Sequence, residues 1–204
     1  MLFVDIRERF VQLEQKIMTK GCLSSESRNM AKKLGEEATI VDQALQKWTT
    51  DFLEEWADRQ YTLLQTLQFS TKDFYSSPVL IYQSLCYAGV WNLYFGTRIL
   101  INCTLIQILD LISLEDYENN SRLSDYVAVI NNMANDLASR IPFCRQIITV
   151  VDDTEPKFVG KTVAIIREEL GEIHAGVTSV WPLSMATGLS RLGRGGQAEI
   201  WVSC

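Results

Sequence analysis

The residues best suited to chemistry are a run of acids in the second half of the chain. This run consists of Asp152, Asp153 and Glu155, with Thr154 between the last two acids. Clustered carboxylates are ligands that Mg²⁺ accepts, and through the metal they can bind a diphosphate. A magnesium-dependent enzyme is therefore one hypothesis. The alternative, which we favour, is a solvated turn whose acids precede a helix, where the helix dipole favours negative charge.

In a helical, aromatic-rich chain this acid cluster resembles a metal-binding motif of terpene synthases. Asn135, Asp136 and Ser139 imitate part of the second metal motif of that family. Phe143, however, stands where the family needs an acid, and the two motifs occur in reversed order. The sequence also shows no cluster of arginines for a diphosphate. These departures weigh against a terpene-synthase-like enzyme.

Histidine and cysteine offer little further chemistry. His174 is the only histidine, so sites that need two are excluded. A nucleophilic pair of Cys144 with His174 is conceivable, but nothing in the sequence brings the two together. The five cysteines are widely spaced and form no zinc or disulfide framework: Cys22, Cys86, Cys103, Cys144 and Cys204. We predict no catalytic residue, no cofactor and no metal site.

Charge excludes one class of partner and suggests a compartment. The net charge is −6, and nucleic-acid-binding surfaces are basic, so we expect no direct nucleic acid contact. The first ten residues carry acids and bases where a signal peptide needs an apolar core. We therefore expect an intracellular chain with reduced thiols.

The dominant element is the apolar run from Tyr75 to Leu114, which is uncharged from Phe74 to Thr97. Such a run is either a membrane span or the buried helix of a bundle. Its polar residues scatter around the whole helix circumference, which lipid does not tolerate: Gln83, Asn92, Arg98, Asn102, Gln107 and Asp110. We favour the buried helix, beginning near Pro78, and keep a membrane-associated helical protein as the alternative.

Helical periodicity recurs on both sides of this run. Apolar residues repeat every three or four positions over 3–17, 41–56, 127–141 and 159–177, and the second stripe includes Trp48 and Trp56. Residues 22–35 and 115–122 are polar, and 147–151 is weakly β-prone. The sequence predicts an all-α fold, an irregular bundle of about six or seven helices around a central buried helix.

We divide the chain into three parts. Residues 1–35 are expected to form an N-terminal amphipathic helix and a polar linker. Residues 36–190 are expected to form the helical domain. Residues 191–204, rich in glycine, form a poorly specified tail.

The central run also carries a recognisable signature. The stretch Trp91-Asn92-Leu93-Tyr94 followed by Arg98-Ile99-Leu100 resembles the C-terminal regulatory region, the fungal-specific transcription factor domain, of fungal zinc-cluster transcription factors. The segments 138–143 (Ala-Ser-Arg-Ile-Pro-Phe) and 181–183 (Trp-Pro-Leu) resemble later motifs of that region. The order and spacing agree over roughly residues 36 to 190.

The resemblance implies a non-enzymatic, nuclear domain for transcription regulation. Its partners would be proteins, either the transcription machinery or a related factor, or a second copy through self-association. The zinc cluster and its basic linker are not found in this sequence, so we expect no DNA-binding module here. The scattered polar residues of the central run lead us to expect no membrane contact. A small-molecule effector stays open.

Overall fold

The computed structural model describes residues 2–51, 56–62, 78–112, 117–144, 148–151 and 162–165. Four long helices dominate these residues: α1 (Leu2–Lys20), α2 (Ser25–Thr50), α3 (Leu85–Ile112) and α4 (Tyr117–Cys144). Four short strands accompany them: β1 (Arg59–Thr62), β2 (Pro78–Ile81), β3 (Ile148–Val151) and β4 (Thr162–Ile165). The predicted all-α character is confirmed for the described part of the chain, with two small sheets added.

The chain forms two compact units. Unit 1 combines Met1–Phe52 with Thr97–Met133, and unit 2 combines Leu53–Gly96 with Ala134–Cys204. Two of the three boundaries fall inside α3 and α4, so each of these helices contributes one part to each unit.

Helix α1 supplies unit 1 with the apolar face that its spacing predicts. Ile6, Phe10 and Leu13 are almost fully buried in the core cluster of unit 1. The helix ends where predicted, because Gly21 adopts a left-handed φ of 67° and its N–H donates to the Ile17 carbonyl at 2.9 Å. This is the usual glycine-dependent helix ending.

The predicted polar linker is wrong from Ser25 onward, because helix α2 begins at that residue. Ser24 caps the helix by accepting a 3.1 Å hydrogen bond from the Ser27 N–H, so residues 25–35 are helical rather than a polar linker. The buried face is lined mainly by small residues: Ser27, Ala31, Leu34, Ala38 and Asp42. Trp48, expected on the inner face, is 38% exposed.

Helices α3 and α4 complete unit 1. Ile101, Leu105 and Ile108 of α3 pack into the same core cluster as α1 and α2. Helix α4 begins at Tyr117, so the predicted polar turn over 115–122 is wrong from that residue onward. The helix is therefore longer than its apolar pattern, which begins at Val127, indicates.

In unit 2, β1 and β2 form an antiparallel pair in which Arg59 lies opposite Ile81. The expectation that Pro78 opens the long helix is wrong, since Pro78 begins β2 and α3 starts only at Leu85. Proline lacks an N–H but is tolerated as the first residue of a strand. Pro142, which also belongs to unit 2, lies inside the last turn of α4, and this helix ends at Cys144.

The second sheet lies where a strand and a helix were expected. Strand β3 confirms the weak β signal at 147–151, and it pairs antiparallel with β4. The helix predicted over 159–177 is therefore wrong at Thr162–Ile165, where β-branched residues suit a strand. The remainder of that helix, Trp181 and the tail lie outside the described residues.

Helix α3 is the one described helix that is long and apolar enough to cross a membrane. In its most apolar window, 61% of the residues are buried inside the protein. Core helices of globular proteins pass the same test of length and composition.

Candidate functional site

Unit 1 contains a groove of about 630 Å³ between α2, α3 and α4. Its lining is drawn from one face of α2, the C-terminal end of α3 and the start of α4: Arg28, Lys32, Gly35, Glu36, Thr39, Ile40, Gln43, Leu105, Ile108, Leu109, Ile112, Arg122 and Tyr126. The volume lies within the range of ligand sites in proteins.

The direction of the helices fixes the shape of this groove. Asp42 contacts Arg98, and the Gly35 backbone approaches Ile108, so α2 and α3 run antiparallel. A Cβ atom added at Gly35 would lie 3.4 Å from Ile108 Cγ2, which shows how closely the helices meet at the floor. The α2 part of the lining extends from Arg28 to Gln43. At 1.5 Å per residue this is roughly 22 Å, or about four helical turns.

The groove has an apolar floor and a cationic end. Leu105, Ile108 and Leu109 form the buried floor, while Ile40 at the edge is 63% exposed. Arg28 and Lys32 from α2 and Arg122 from α4 provide three positive charges, against one acid, Glu36, among the lining residues.

Two of these cations differ in their hydrogen bonds. Arg122 Nη2 donates to the Tyr126 hydroxyl at 3.1 Å. Arg28 Nε is buried and has no hydrogen-bond partner within the described residues. A buried donor left in this way costs free energy of folding.

Beside the groove, unit 1 holds a buried ion pair. The Arg98 guanidinium donates from Nε to Asp42 Oδ1 at 2.8 Å and from Nη2 to Asp42 Oδ2 at 3.0 Å. The two side chains are only 8% and 11% exposed. Bidentate geometry of this kind is the strongest form of charge-assisted hydrogen bond.

Neighbouring amides complete the ion pair. Asn102 Nδ2 donates to Asp42 Oδ1 at 3.2 Å and to the Arg98 carbonyl at 2.8 Å. Gln46 Nε2 donates to Asp42 Oδ2 at 2.6 Å. The Asp42 carboxylate is thereby held by donors from α2 and α3, so its arrangement serves to join helices rather than to react.

Unit 2 has its own buried cation, Arg140 of α4, which is 3% exposed. Its Nε donates to the Tyr82 hydroxyl and its Nη2 donates to Asp58 Oδ2 at 3.3 Å. The guanidinium carbon lies 4.0 Å from the ring centroid of Phe95, a cation–π distance. Burial raises the pKa of Tyr82, and Arg140 opposes the increase.

Aromatic side chains surround this arginine. Trp91 stacks on Phe95 at 5.7 Å between centroids, and its indole N–H donates to the Trp56 carbonyl at 2.8 Å. Asn92 Nδ2 lies 3.4 Å from Cys144 Sγ, and burial raises the pKa of that thiol. The aromatic residues of the signature are therefore packing residues of unit 2.

The residues proposed for metal chemistry are only partly described. On α4, the Ser139 hydroxyl donates to the Asn135 carbonyl at 2.9 Å, and burial raises the pKa of Asp136. The described residues contain no group of three acidic, histidine or cysteine side chains arranged to hold a metal. Asp152, Asp153, Glu155 and His174 lie outside the described residues.

The sequence did not indicate the groove. The sequence predicts a polar linker over residues 22–35, and this prediction does not place Arg28 and Lys32 on a helix face. Ser24 was the available signal, since a serine at a helix start commonly accepts a hydrogen bond from the backbone N–H three residues later. The α3 and α4 parts of the lining depend on tertiary contacts that one sequence does not reveal.

Comparison with known proteins adds no relative. The chain matches no protein-family model, no curated protein sequence and no solved structure.

Proposed function

We propose that this chain is a non-enzymatic, transcription-regulatory interaction domain of the fungal zinc-cluster type, acting through a protein partner in the nucleus. The observation that supports this proposal most is the use made of Arg98. This residue of the signature donates to Asp42, and its carbonyl accepts a hydrogen bond from Asn102, both inside unit 1. The signature is thus explained as a packing determinant of a helical scaffold, as expected of an interaction domain.

The finer architecture belongs to the same proposal. We take α3 as the central helix of an irregular bundle of about six or seven helices. The groove of unit 1 gives such a scaffold a surface for a partner.

A promoter-tethering assay in a yeast host tests the proposed function. The full chain is fused to an unrelated DNA-binding module and compared with that module alone at a reporter gene. We expect reporter output to change at least about threefold, corresponding to a modest free-energy difference in recruitment. A fluorescent fusion without the module should accumulate in the nucleus.

Two variants test whether the effect depends on the folded structure of unit 1. Asp42→Ala, which removes the partner of Arg98 and destabilises unit 1, should abolish the effect, whereas Asp5→Ala, at an exposed position of α1, should retain it. If the wild-type fusion leaves the reporter unchanged while the protein is folded and abundant, the regulatory proposal is wrong.

A further inference from the structure

We propose that the unit 1 groove binds an acidic amphipathic α-helix of a partner protein. This inference rests on the proposed function and specifies the surface and the chemistry of the partner. It draws on the length of the groove, its charge and its exposed apolar edge.

The length of the groove fits a helix. The α2 lining extends from Arg28 to Gln43, and the opposite walls are formed by α3 and α4. The α2 side, at roughly 22 Å, has the length of about fifteen helical residues, while the α3 and α4 linings, 105–112 and 122–126, extend along roughly 10 Å and 6 Å of it. Helix-in-groove recognition places apolar anchors at i, i+3, i+4 and i+7 into such a trough.

The charge of the groove selects an acidic partner. The chain as a whole carries −6, yet the lining brings together Arg28, Lys32 and Arg122 against Glu36. A positive surface on a negative protein attracts an acidic segment locally and repels basic ones.

The apolar edge supplies the anchor contact. Ile40 is 63% exposed on the groove side of α2, and Ile112 and Tyr126 are partly exposed near the cationic end. An apolar residue of the partner that covers Ile40 would bury area on both sides. A partner segment with an apolar anchor for Ile40 and acidic residues for the cationic end is an acidic amphipathic helix.

The direct test is fluorescence anisotropy with the full chain and a labelled synthetic peptide of about sixteen residues. The peptide carries leucines on one helical face and glutamates on the other. A scrambled peptide of the same composition and a version with lysine in place of glutamate are the peptide controls. We expect the acidic amphipathic peptide to bind more tightly than roughly 100 µM, and at least about tenfold more tightly than either control.

Adjacent lysines on α2 provide a matched pair of variants. Lys32 lines the groove and Lys33 does not, although both are exposed and both belong to the same helix. Lys32→Glu should weaken peptide binding about tenfold, and Lys33→Glu, with the same change in net charge, should stay within about twofold. Ile40→Ser should also weaken binding, while circular dichroism confirms that every variant keeps its helices.

Four results would overturn the proposal. They are absence of peptide binding, equal weakening by Lys32→Glu and Lys33→Glu, binding of decanoate but not of the peptide, and dimerisation of the chain that Ile40→Ser abolishes. The last two would assign the groove to a small amphiphile or to a second copy. A reporter effect that persists when peptide binding fails would leave the proposed function intact and move the partner to another surface.

Discussion

At the scale of single residues, unit 1 is distinguished by a buried charge pair that is fully hydrogen-bonded. Asp42 accepts from Arg98, Asn102 and Gln46, all within 3.2 Å. Burial makes such a pair costly to break from one side, because the remaining ion stays in a poorly solvating environment. The ion pair contributes less to net stability than its number of hydrogen bonds indicates, because removing both charges from water costs free energy.

Removing one partner of the pair should therefore be severe. We expect Asp42→Ala to lower the free energy of unfolding by about 3–5 kcal/mol in urea denaturation. Removing both charges with Asp42→Ala and Arg98→Met should restore part of this loss. Asp5→Ala, which removes an exposed partner of Arg9, should cost less than about 1 kcal/mol. Equal losses for Asp42→Ala and Asp5→Ala would contradict this account.

The buried thiol of Cys103 links stability to alkaline pH. Burial raises its pKa to about 12, well above the value of an exposed cysteine. The unfolded chain releases this proton first, so the stabilisation is complete below about pH 8.5 and is lost as pH rises toward 12. We expect this thiol alone to lower the free energy of unfolding by about 2 kcal/mol between pH 8 and pH 10.

Substituting cysteines isolates this contribution. Cys103→Ala should flatten the alkaline decrease measured by denaturation at each pH, whatever its effect at pH 7. Cys22→Ala, at an exposed position, should retain the wild-type slope. If Cys103→Ala falls as steeply as wild type, the thiol does not carry the pH dependence.

At the scale of elements, the helix ends show what the sequence can reveal. The α1 boundaries follow from local residues: Phe3 to Ile17 on one face and Gly21 at the stop. The strand Pro78–Ile81 forms by pairing with Arg59–Thr62, which lies well before it in the sequence. Local periodicity therefore predicts a helix at Pro78 where the structure has a strand. The partner of Arg98 lies 56 residues away on α2 and could not be named from the sequence.

Two glycines should respond to alanine with opposite signs. Gly21 has a φ of 67°, which alanine adopts at a cost, so Gly21→Ala should destabilise by about 1 kcal/mol. Gly89 lies within α3, where an added Cβ meets nothing within 4 Å, so Gly89→Ala should stabilise by about 0.5–1 kcal/mol. Thermal unfolding monitored by circular dichroism measures both, and shifts of the same sign would refute the assigned roles.

Substitutions at Ser24 test whether residues 25–35, predicted to be part of a polar linker, form a stable helix. Ser24→Ala removes the side-chain acceptor of the Ser27 N–H and should cost about 1 kcal/mol. Ser24→Asp keeps an acceptor and should be close to wild type. Ser25→Ala, exposed and one residue into the helix, serves as the control. Chemical denaturation with equal midpoints for Ser24→Ala and Ser25→Ala would count against the cap.

At the scale of the whole molecule, the long apolar helix raises the question of a membrane. Arg98 on α3 is buried and paired with Asp42, which favours a core helix, whereas Asp110 near its end is exposed. Both charges would be costly in a bilayer. We therefore expect the chain to behave as a helical protein in water, in agreement with its predicted class.

Fractionation of a host expressing the full chain checks this expectation. The protein should stay in the supernatant after high-speed centrifugation and should not bind vesicles of neutral phospholipid. A matched fusion with a known membrane span serves as the positive control. Recovery of the chain in a membrane pellet that resists carbonate washing would return α3 to the membrane alternative.

The buried Asp42 has one more consequence, for the helix that carries it. The inner face of α2 combines three small residues, Ser27, Ala31 and Ala38, with the larger Leu34 and with Asp42 itself. A shift by one residue would rotate Asp42 by about 100° and leave Arg98 without its carboxylate. The ion pair thus adds a directional contact to the apolar packing of Leu34, and together they fix the axial position of α2 against α3.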